Sequence, residues 1–443
     1  MATSVGMVSL GCVKNQVDGE VIMASLQKAG YEIKDDAAMA DVAIVNTCGF
    51  IEDAKKESIE EILELAKLKK EGKIKAVLVT GCLAERYREE ILKELPEADG
   101  VVGIGANGQI ASLIEEVLKG TRPGIFPPKE DMPLCGERIL TTPSYFAYLK
   151  IAEGCDNCCT YCAIPLIRGG YRSRTMEDIL EEAESLVRDG AKELIVVAQD
   201  TSRYGLDLYG KLALPELLNR LCELEGVEWI RLLYCYPDFM TDELIETIAS
   251  QKKIVKYVDL PLQHASGNVL RAMNRRGNRE SLTALIHKMR EKIPGLVLRT
   301  TLITGFPGET EEDFTELAEF AKEIRFERLG CFAYSQEEGT PAALFSNQID
   351  EEEKRHRMDI IMEMQMEIMQ ENGEGQIGKT LKVLTEGFDR YAECYFGRSY
   401  GDSPDIDGKV FFTSPGKKPH YGEFVNVRID DCMDCDLMGE RVE

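Results

Sequence analysis

Alternation constrains this chain more than any other feature. From Val5 to Gly120 short apolar runs take turns with charged, helix-patterned stretches. SVGMVSLG precedes QVDGEVIMASLQKAG, DVAIVNT precedes EDAKKESIEEILELAKLKKEG, KAVLVTG precedes ERYREEILKELPE, and ADGVVGI precedes QIASLIEEVLKG. Apolar runs that alternate with amphipathic helices predict an α/β domain on a parallel sheet over residues 1–120. Residues 121–142 (TRPGIFPPKEDMPLCGERILTT) are rich in Pro and Gly, hold no period and read as a linker. From Ser144 the rhythm returns in YFAYLKIAEG, KELIVVAQD, EWIRLLYCY, KYVDLPLQ, LVLRTTLITG and RLGCFAYS. Six βα units are two short of a closed eight-strand barrel, so residues 143–377 are expected to form an open, partial TIM-like barrel. A helix from about Asp350 to Asn372 follows, and its Met358, Met362, Met366 and Met369 predict a core-facing seam. From Gly378 to Glu443 short runs (TLKVLTEGF, AECYFGRS, GKVFFTS, EFVNVRID, LMGERVE) predict a small antiparallel β barrel.

The 443 residues exceed one ordinary core, and a composition of 44% apolar and 30% charged supports folded domains. No run of 18 apolar residues occurs and no basic-then-apolar leader opens the chain, so a cytoplasmic protein without a membrane span is expected. Lys+Arg number 53 against 78 Asp+Glu, a net charge of −25 that repels phosphate backbones and attracts cationic partners. Fourteen cysteines are many for such a chain. A large core in a reducing compartment has no need of seven disulfides, so some of these thiols are expected to ligate metal.

Cys12, Cys48 and Cys82 stand at the ends of the first three apolar runs, in LGCVKN, NTCGFI and TGCLAE. The carboxyl ends of parallel strands share one edge, where such folds bind ligands. Any one of these cysteines reads as a packing residue; three at the same topological position read as a metal site. The second group is tighter. EGCDNCCTYCAIP follows the first strand of the barrel, and Cys155, Cys159 and Cys162 form a C-x3-C-x2-C tripod with Cys158 as an extra thiol. No second ligand pair follows at zinc spacing. Three thiolates suit a four-iron cluster with one iron left open to substrate or cofactor.

The tripod, with Tyr161 before its third cysteine at the first loop of a six-unit barrel, resembles the radical S-adenosylmethionine superfamily. A three-cysteine domain before it and a small β barrel after it, resembling a TRAM domain, are similar to the methylthiotransferase family. SLGCVKNQVDGE, VAQDTSRYG, YVDLPLQHAS, GFPGETEEDF and RLGCFAYSQEEGT resemble the branch that acts on a ribosomal protein. That resemblance implies transfer of a methylthio group to the β-carbon of an aspartate in small-subunit ribosomal protein twelve, with an electron-donor protein as a further partner. It also implies two 4Fe-4S clusters and S-adenosylmethionine as cofactors. By the same resemblance, the cluster on Cys155, Cys159 and Cys162 binds and cleaves S-adenosylmethionine to a 5′-deoxyadenosyl radical. The cluster on Cys12, Cys48 and Cys82 holds the sulfur to be transferred.

The chain departs from the wider superfamily where Gly-Gly-Glu usually ends the second strand: Gln199, Asp200 and Thr201 stand there. Tyr161, Gln199 and Gln263 are the candidate cofactor contacts, with no atom of the cofactor assigned to any of them. His264 beside Gln263, and Arg168, Arg172 and Arg174 after the tripod, read as readily structural as functional. Thr310 with Asp313 reads as a helix cap. The Cys432–Cys435 pair lacks the second pair a zinc site needs. Two other readings compete: the tRNA-modifying branch of the family, and a non-enzymatic electron carrier. The ferredoxin C-x2-C-x2-C spacing is absent, and six βα units exceed what a carrier needs. Residues 378–443 hold 9 Lys+Arg and 13 Asp+Glu. Carboxylates such as Asp402, Asp405, Asp407, Asp430, Asp431, Asp434 and Asp436 suit a basic protein better than RNA.

Overall fold

The computed structural model describes residues 2–443. Strands β1 (Ser4–Ser9), β2 (Glu32–Lys34), β3 (Val42–Thr47), β4 (Ala76–Gly81), β5 (Gly100–Val102) and β6 (Gly124–Ile125) form one parallel sheet in the order β2-β1-β3-β4-β5-β6. Every residue of β3 and β4 is buried, as strands covered on both faces must be. The two edge strands, β2 and β6, escape a reading of apolar runs. β6 lies inside the segment expected to be a linker; Val101 and Gly103 donate to Pro123 and Ile125 across it. Two residues held by backbone hydrogen bonds carry no period, so the first sheet extends to Ile125.

The second sheet takes β7 (Phe146–Lys150), β10 (Glu193–Val197), β11 (Trp229–Leu232), β12 (Ile254–Asp259), β13 (Val297–Thr304) and β14 (Arg328–Ala333). It runs parallel in the order β14-β13-β12-β11-β10-β7 and leaves β7 and β14 unjoined, an open six-strand barrel. Between β7 and β10, β8 (Ala152–Glu153) pairs antiparallel with β9 (Arg172–Ser173) and pins the base of the tripod loop. Val13 and Val17 of the helix Val13–Lys28 pack with Phe146 and Tyr148, so the first domain lies against the β7 edge.

Strands β15 (Thr380–Asp389), β16 (Cys394–Ser399), β17 (Val410–Thr413), β18 (Phe424–Met433) and β19 (Asp436–Val442) close a barrel in the order β15-β16-β17-β19-β18. One pair, β17 with β19, is parallel rather than antiparallel. Geometry demands it, because an odd number of strands cannot close with every neighbour reversed.

Two expectations need correction. On the helix Glu351–Glu374 the buried line is Lys354, Arg357, Ile361, Gln365 and Ile368, while Met366 is 56% exposed and Met358 and Met362 only flank the core. The seam sits one residue from the methionine stripe because its long polar members find partners: Arg357 pairs with Glu309, and Gln365 donates to the Phe326 carbonyl. The terminal barrel's acids are also not all free. Asp402 pairs with Arg328 at 2.6 Å, and Asp407 accepts from the Tyr257 hydroxyl at 2.7 Å. With Arg398 on Glu193 and Phe424 against Trp229, these contacts seat the terminal barrel on the amino-terminal ends of the second sheet. Asp405, Asp430, Asp431 and Asp434 remain exposed.

Candidate active site

The first trio is assembled from three neighbouring strands. Cys12 caps the helix after β1, Cys48 follows β3, and Cys82 begins the helix after β4. β1, β3 and β4 are consecutive in the sheet, so their carboxyl ends place the loops side by side. Two glycines permit the approach. A Cβ on Gly11, at φ +89°, would stand 2.7 Å from the Cys48 sulfur, and one on Gly49 would stand 2.6 Å from the Leu83 Cα. Asn15 ties the Cys12 loop to β3 by donating to the carbonyls of Leu10 and Asn46 at 2.8 and 3.1 Å. Ser58 fixes the Cys48 backbone, accepting from its N–H at 3.0 Å and donating to its carbonyl at 2.9 Å. Desolvation opposes ionisation of Cys12, but Lys14 and Arg168 outweigh it and hold the thiol below its ordinary range. Burial pushes Cys48 up and Cys82 up to about 12, against the pull of Arg168, and both feel the charge on Cys12.

The second trio is local. The loop from Cys155 to Cys162 runs from β8 to the short helix Ile164–Arg168. Cys155 donates its N–H to the Gly169 carbonyl at 3.1 Å, and Thr160 donates to Met273 at 3.0 Å. Asn274 reaches back to the carbonyls of Asn157 and Cys158 at 3.3 and 3.1 Å. Cys158, at φ +50°, is exposed, whereas Cys155 and Cys162 are half-buried and Cys159 is buried. Burial pushes Cys155 up to about 12 and carries Cys162 well above the ordinary thiol range. Among the described residues no three His, Cys, Asp or Glu converge closely enough for a single metal ion. In a four-iron cluster each thiol binds its own iron and the sulfurs stand apart, so both all-thiol trios fit a cluster better than one ion.

A buried arginine stands at each trio, and sequence reasoning singled out only one of them. Arg275 donates from Nη2 to the Pro261 carbonyl at 2.6 Å, and its Nη1 lies 3.7 Å from the Cys159 sulfur and 3.5 Å from the Tyr161 hydroxyl. Its guanidinium stacks 4.2 Å from the centre of the Tyr236 ring. Arg168, 1% exposed, closes the helix after the tripod and donates from Nη2 to the Cys82 sulfur at 3.2 Å. Its Nη1 pairs with Asp18 and with Glu153, and Lys150 pairs with the same two carboxylates. Burial opposes ionisation of Glu153, but Lys150 and Arg168 hold it well below the usual carboxylate range. The tripod's own helix thus reaches into the wall of the first trio.

The candidate cofactor contacts line the same carboxyl-end mouth. Tyr161 packs against the cluster of Val269, Met273, Phe306 and Tyr334. Gln199, just past β10, donates to Glu153 at 2.7 Å and leaves its buried Oε1 without a partner. Gln263, at φ +72°, bridges to β13 through its backbone. Other candidates are structural. His264 is fully buried 3.3 Å from Glu309, Arg174 binds Glu182 and the Lys150 carbonyl, and Arg172 donates to the Glu130 carbonyl. Thr310 and Asp313 form a capping box. Cys435 occupies the two-residue turn between β18 and β19 with Asp434, both at positive φ.

Comparison with known proteins fits this geometry. Residues 4–103 match the family described as Uncharacterized protein family UPF0004, residues 149–321 the Radical SAM superfamily and residues 377–442 the TRAM domain. Ribosomal protein uS12 methylthiotransferase RimO of Thermoanaerobacter sp. (strain X514) is 51% identical over 99% of each chain. The protein so named from Caldanaerobacter subterraneus subsp. tengcongensis is 52% identical over 99% of each. That of Pelotomaculum thermopropionicum is 51% identical over 100% of both. The chain belongs to the RimO methylthiotransferase family. As a radical SAM member of that family it uses S-adenosylmethionine and a four-iron cluster. In fold it is similar to the radical S-adenosylmethionine methyltransferase TsrM of Kitasatospora setae, with a TM-score of 0.56 at 15% identity over 78% of this chain and 74% of that one. No helix of residues 2–443 is long and apolar enough to cross a membrane.

Proposed function

We propose that this chain, like the relatives named for it, transfers a methylthio group to the β-carbon of an aspartate in ribosomal protein uS12. Cys155, Cys159 and Cys162 would hold the cluster that binds S-adenosylmethionine, and Cys12, Cys48 and Cys82 a second four-iron cluster. The observation that carries the reading is Arg168: it leaves the tripod's helix and bonds the Cys82 sulfur, so both trios share one buried wall. An electron-transfer device would not need two such sites opening on one substrate mouth. When bound, these cofactors supply a radical able to take a hydrogen from an unactivated carbon, which no side chain can do.

The residues supply position and seclusion. Arg168 and Arg275 aim N–H groups at one sulfur of each trio, stabilising negative charge there. Asp18 and Glu153, which Lys150 shares, keep Arg168 neutralised and fixed. Tyr161, Gln199 and Gln263 line the cofactor's place, with the free Gln199 Oε1 an acceptor for its ammonium. We assign residues 2–125 to the sulfur-holding unit, 143–377 to the radical unit and 378–443 to the substrate-docking unit. A protein electron donor and a cytoplasmic setting complete the reading. Mass spectrometry of ribosomal proteins and of digested tRNA from cells lacking this gene tests it. Protein uS12 is expected to lose the mass of one methylthio group; loss from tRNA instead would overturn the substrate.

A further inference from the structure

The loop after β14 touches the ligand loops of both trios. It begins with YSQEEGT and leaves one of the two strands that the open barrel does not join. On one side the Ala342 N–H donates to the Thr160 carbonyl at 2.9 Å, inside the tripod between Cys159 and Cys162. On the other side Glu337 enters the first domain. Its Oε2 accepts from Arg86 Nη1 at 2.8 Å and from Lys55 Nζ at 3.2 Å, and its Oε1 accepts from the Ser335 hydroxyl at 2.7 Å. The Arg86 and Glu337 side chains are 5% and 4% exposed. Burial opposes ionisation of Glu337, but Ser335, Arg86 and Lys55 outweigh it and hold its carboxyl below the usual range. Arg86 lies one turn past Cys82 on the helix Cys82–Glu94, and its Nη1 also donates to the Gly49 carbonyl at 2.8 Å, next to Cys48. Its Nη2 donates to the Glu338 carbonyl at 2.6 Å. Lys55 stands on the helix Glu52–Lys70 that follows Cys48.

The two domains already meet at the β7 edge, where Arg168 holds the Cys82 sulfur and Asn15 of the Cys12 loop. Glu337 adds a second seam on the β14 side, and through Arg86 it reaches the remaining ligand loop, that of Cys48. A guanidinium divided between a carbonyl of one domain and a carboxylate of the other fixes both, and charge-assisted bonds of this kind are the strong ones. Taking away one member of a buried ion pair leaves the other uncompensated, so the contact is costly to break. We propose that Glu337 is a positioning residue: through Arg86 it holds the Cys48 loop in place beside the tripod and so couples sulfur transfer to S-adenosylmethionine cleavage. This inference rests on the functional reading above. Misplacing a reacting group by about 1 Å can cost about a hundredfold in rate. Transfer needs both trios in place, whereas cleavage needs only the tripod, so a loosened Cys48 loop lowers the yield of transfer per cleavage.

The test compares wild type with Glu337→Gln, both cluster-loaded and under anaerobic conditions. The first readout is hydrogen exchange. In Glu337→Gln the amides of residues 48–58 should exchange about tenfold faster, the scale of one lost charge-assisted hydrogen bond, while those of residues 155–162 exchange as in wild type. The second readout is the number of methylthio groups placed on purified uS12 per S-adenosylmethionine cleaved. That ratio should fall about tenfold in Glu337→Gln, with iron content as in wild type. Arg86→Lys keeps a cation but cannot bond Gly49, Glu337 and Glu338 together, so it should move both readouts in the same direction. It carries the test alone if Glu337→Gln does not fold. Unchanged exchange over residues 48–58, exchange raised alike in every segment, or an unchanged ratio overturns the proposal and makes Glu337 a stabilising contact only. If wild type places nothing on uS12, the substrate reading itself falls, and exchange over residues 48–58 decides alone whether Glu337 holds the loop.

Discussion

The tripod and the strand-end trio differ in how many parts must be right before three thiols meet. Cys155, Cys159 and Cys162 belong to one loop, held by backbone contacts to residues 169 and 272–274 of the same domain. Cys12, Cys48 and Cys82 meet only when β1, β3 and β4 pair in register and Gly11 and Gly49 let their loops touch. The arginines differ in the same sense. Arg275 comes from the tripod's own domain and, among the described residues, has no carboxylate partner within 4.0 Å, whereas Arg168 crosses from the barrel domain and is balanced by Asp18 and Glu153. A local site survives damage to its neighbours; an assembled one inherits every fault of the interface around it.

Removing the tripod should have the largest effect. Changing Cys155, Cys159 and Cys162 together to Ala should abolish S-adenosylmethionine cleavage while leaving the first trio able to load iron. Breaking the bridge comes next. Arg168→Met leaves Asp18 and Glu153 buried with Lys150 alone and should cost about 3–5 kcal/mol in thermal or denaturant unfolding. Arg168→Lys should recover part of it without restoring the two Nη2 contacts, to the Cys82 sulfur and, at 3.0 Å, to the Asn15 Oδ1. The network also sets an acid limit. Since Glu153 is held below its unfolded value, its contribution is complete above about pH 4.5 and is lost as pH falls towards its folded value. Melting curves should show that loss in the wild type; in Arg168→Met, where the folded value lies higher, the loss should be smaller and should finish at a higher pH.

Arg275→Lys should act on the tripod alone, lowering S-adenosylmethionine cleavage about tenfold with the iron of the first trio untouched, because one charge-assisted contact is lost. The smallest effect belongs to Cys158→Ser. That thiol is exposed and turned out of the loop, so iron content should hold and stability should move by no more than about 0.5 kcal/mol.

Much of this was legible in order along the chain. Each strand-end cysteine sits in a short, easily read run, and the tripod is contiguous. What the sequence hid depends on contacts between distant segments. Arg168 meets Cys82 and Asp18 only through domain packing. Asp402 and Asp407 read as free acids because their arginine and tyrosine partners lie on β12 and β14. The methionine stripe misled because the true seam runs through Lys354, Arg357 and Gln365, which periodicity of apolar residues cannot see.

Iron and sulfide analysis of the anaerobically reconstituted protein tests the central claim most directly. Wild type should bind about eight irons, and the triple Ala variant at Cys12, Cys48 and Cys82 about four, with S-adenosylmethionine cleavage retained and methylthio transfer lost. A variant that kept all its iron would show that the strand-end cysteines are packing residues, and the two-cluster account would be wrong.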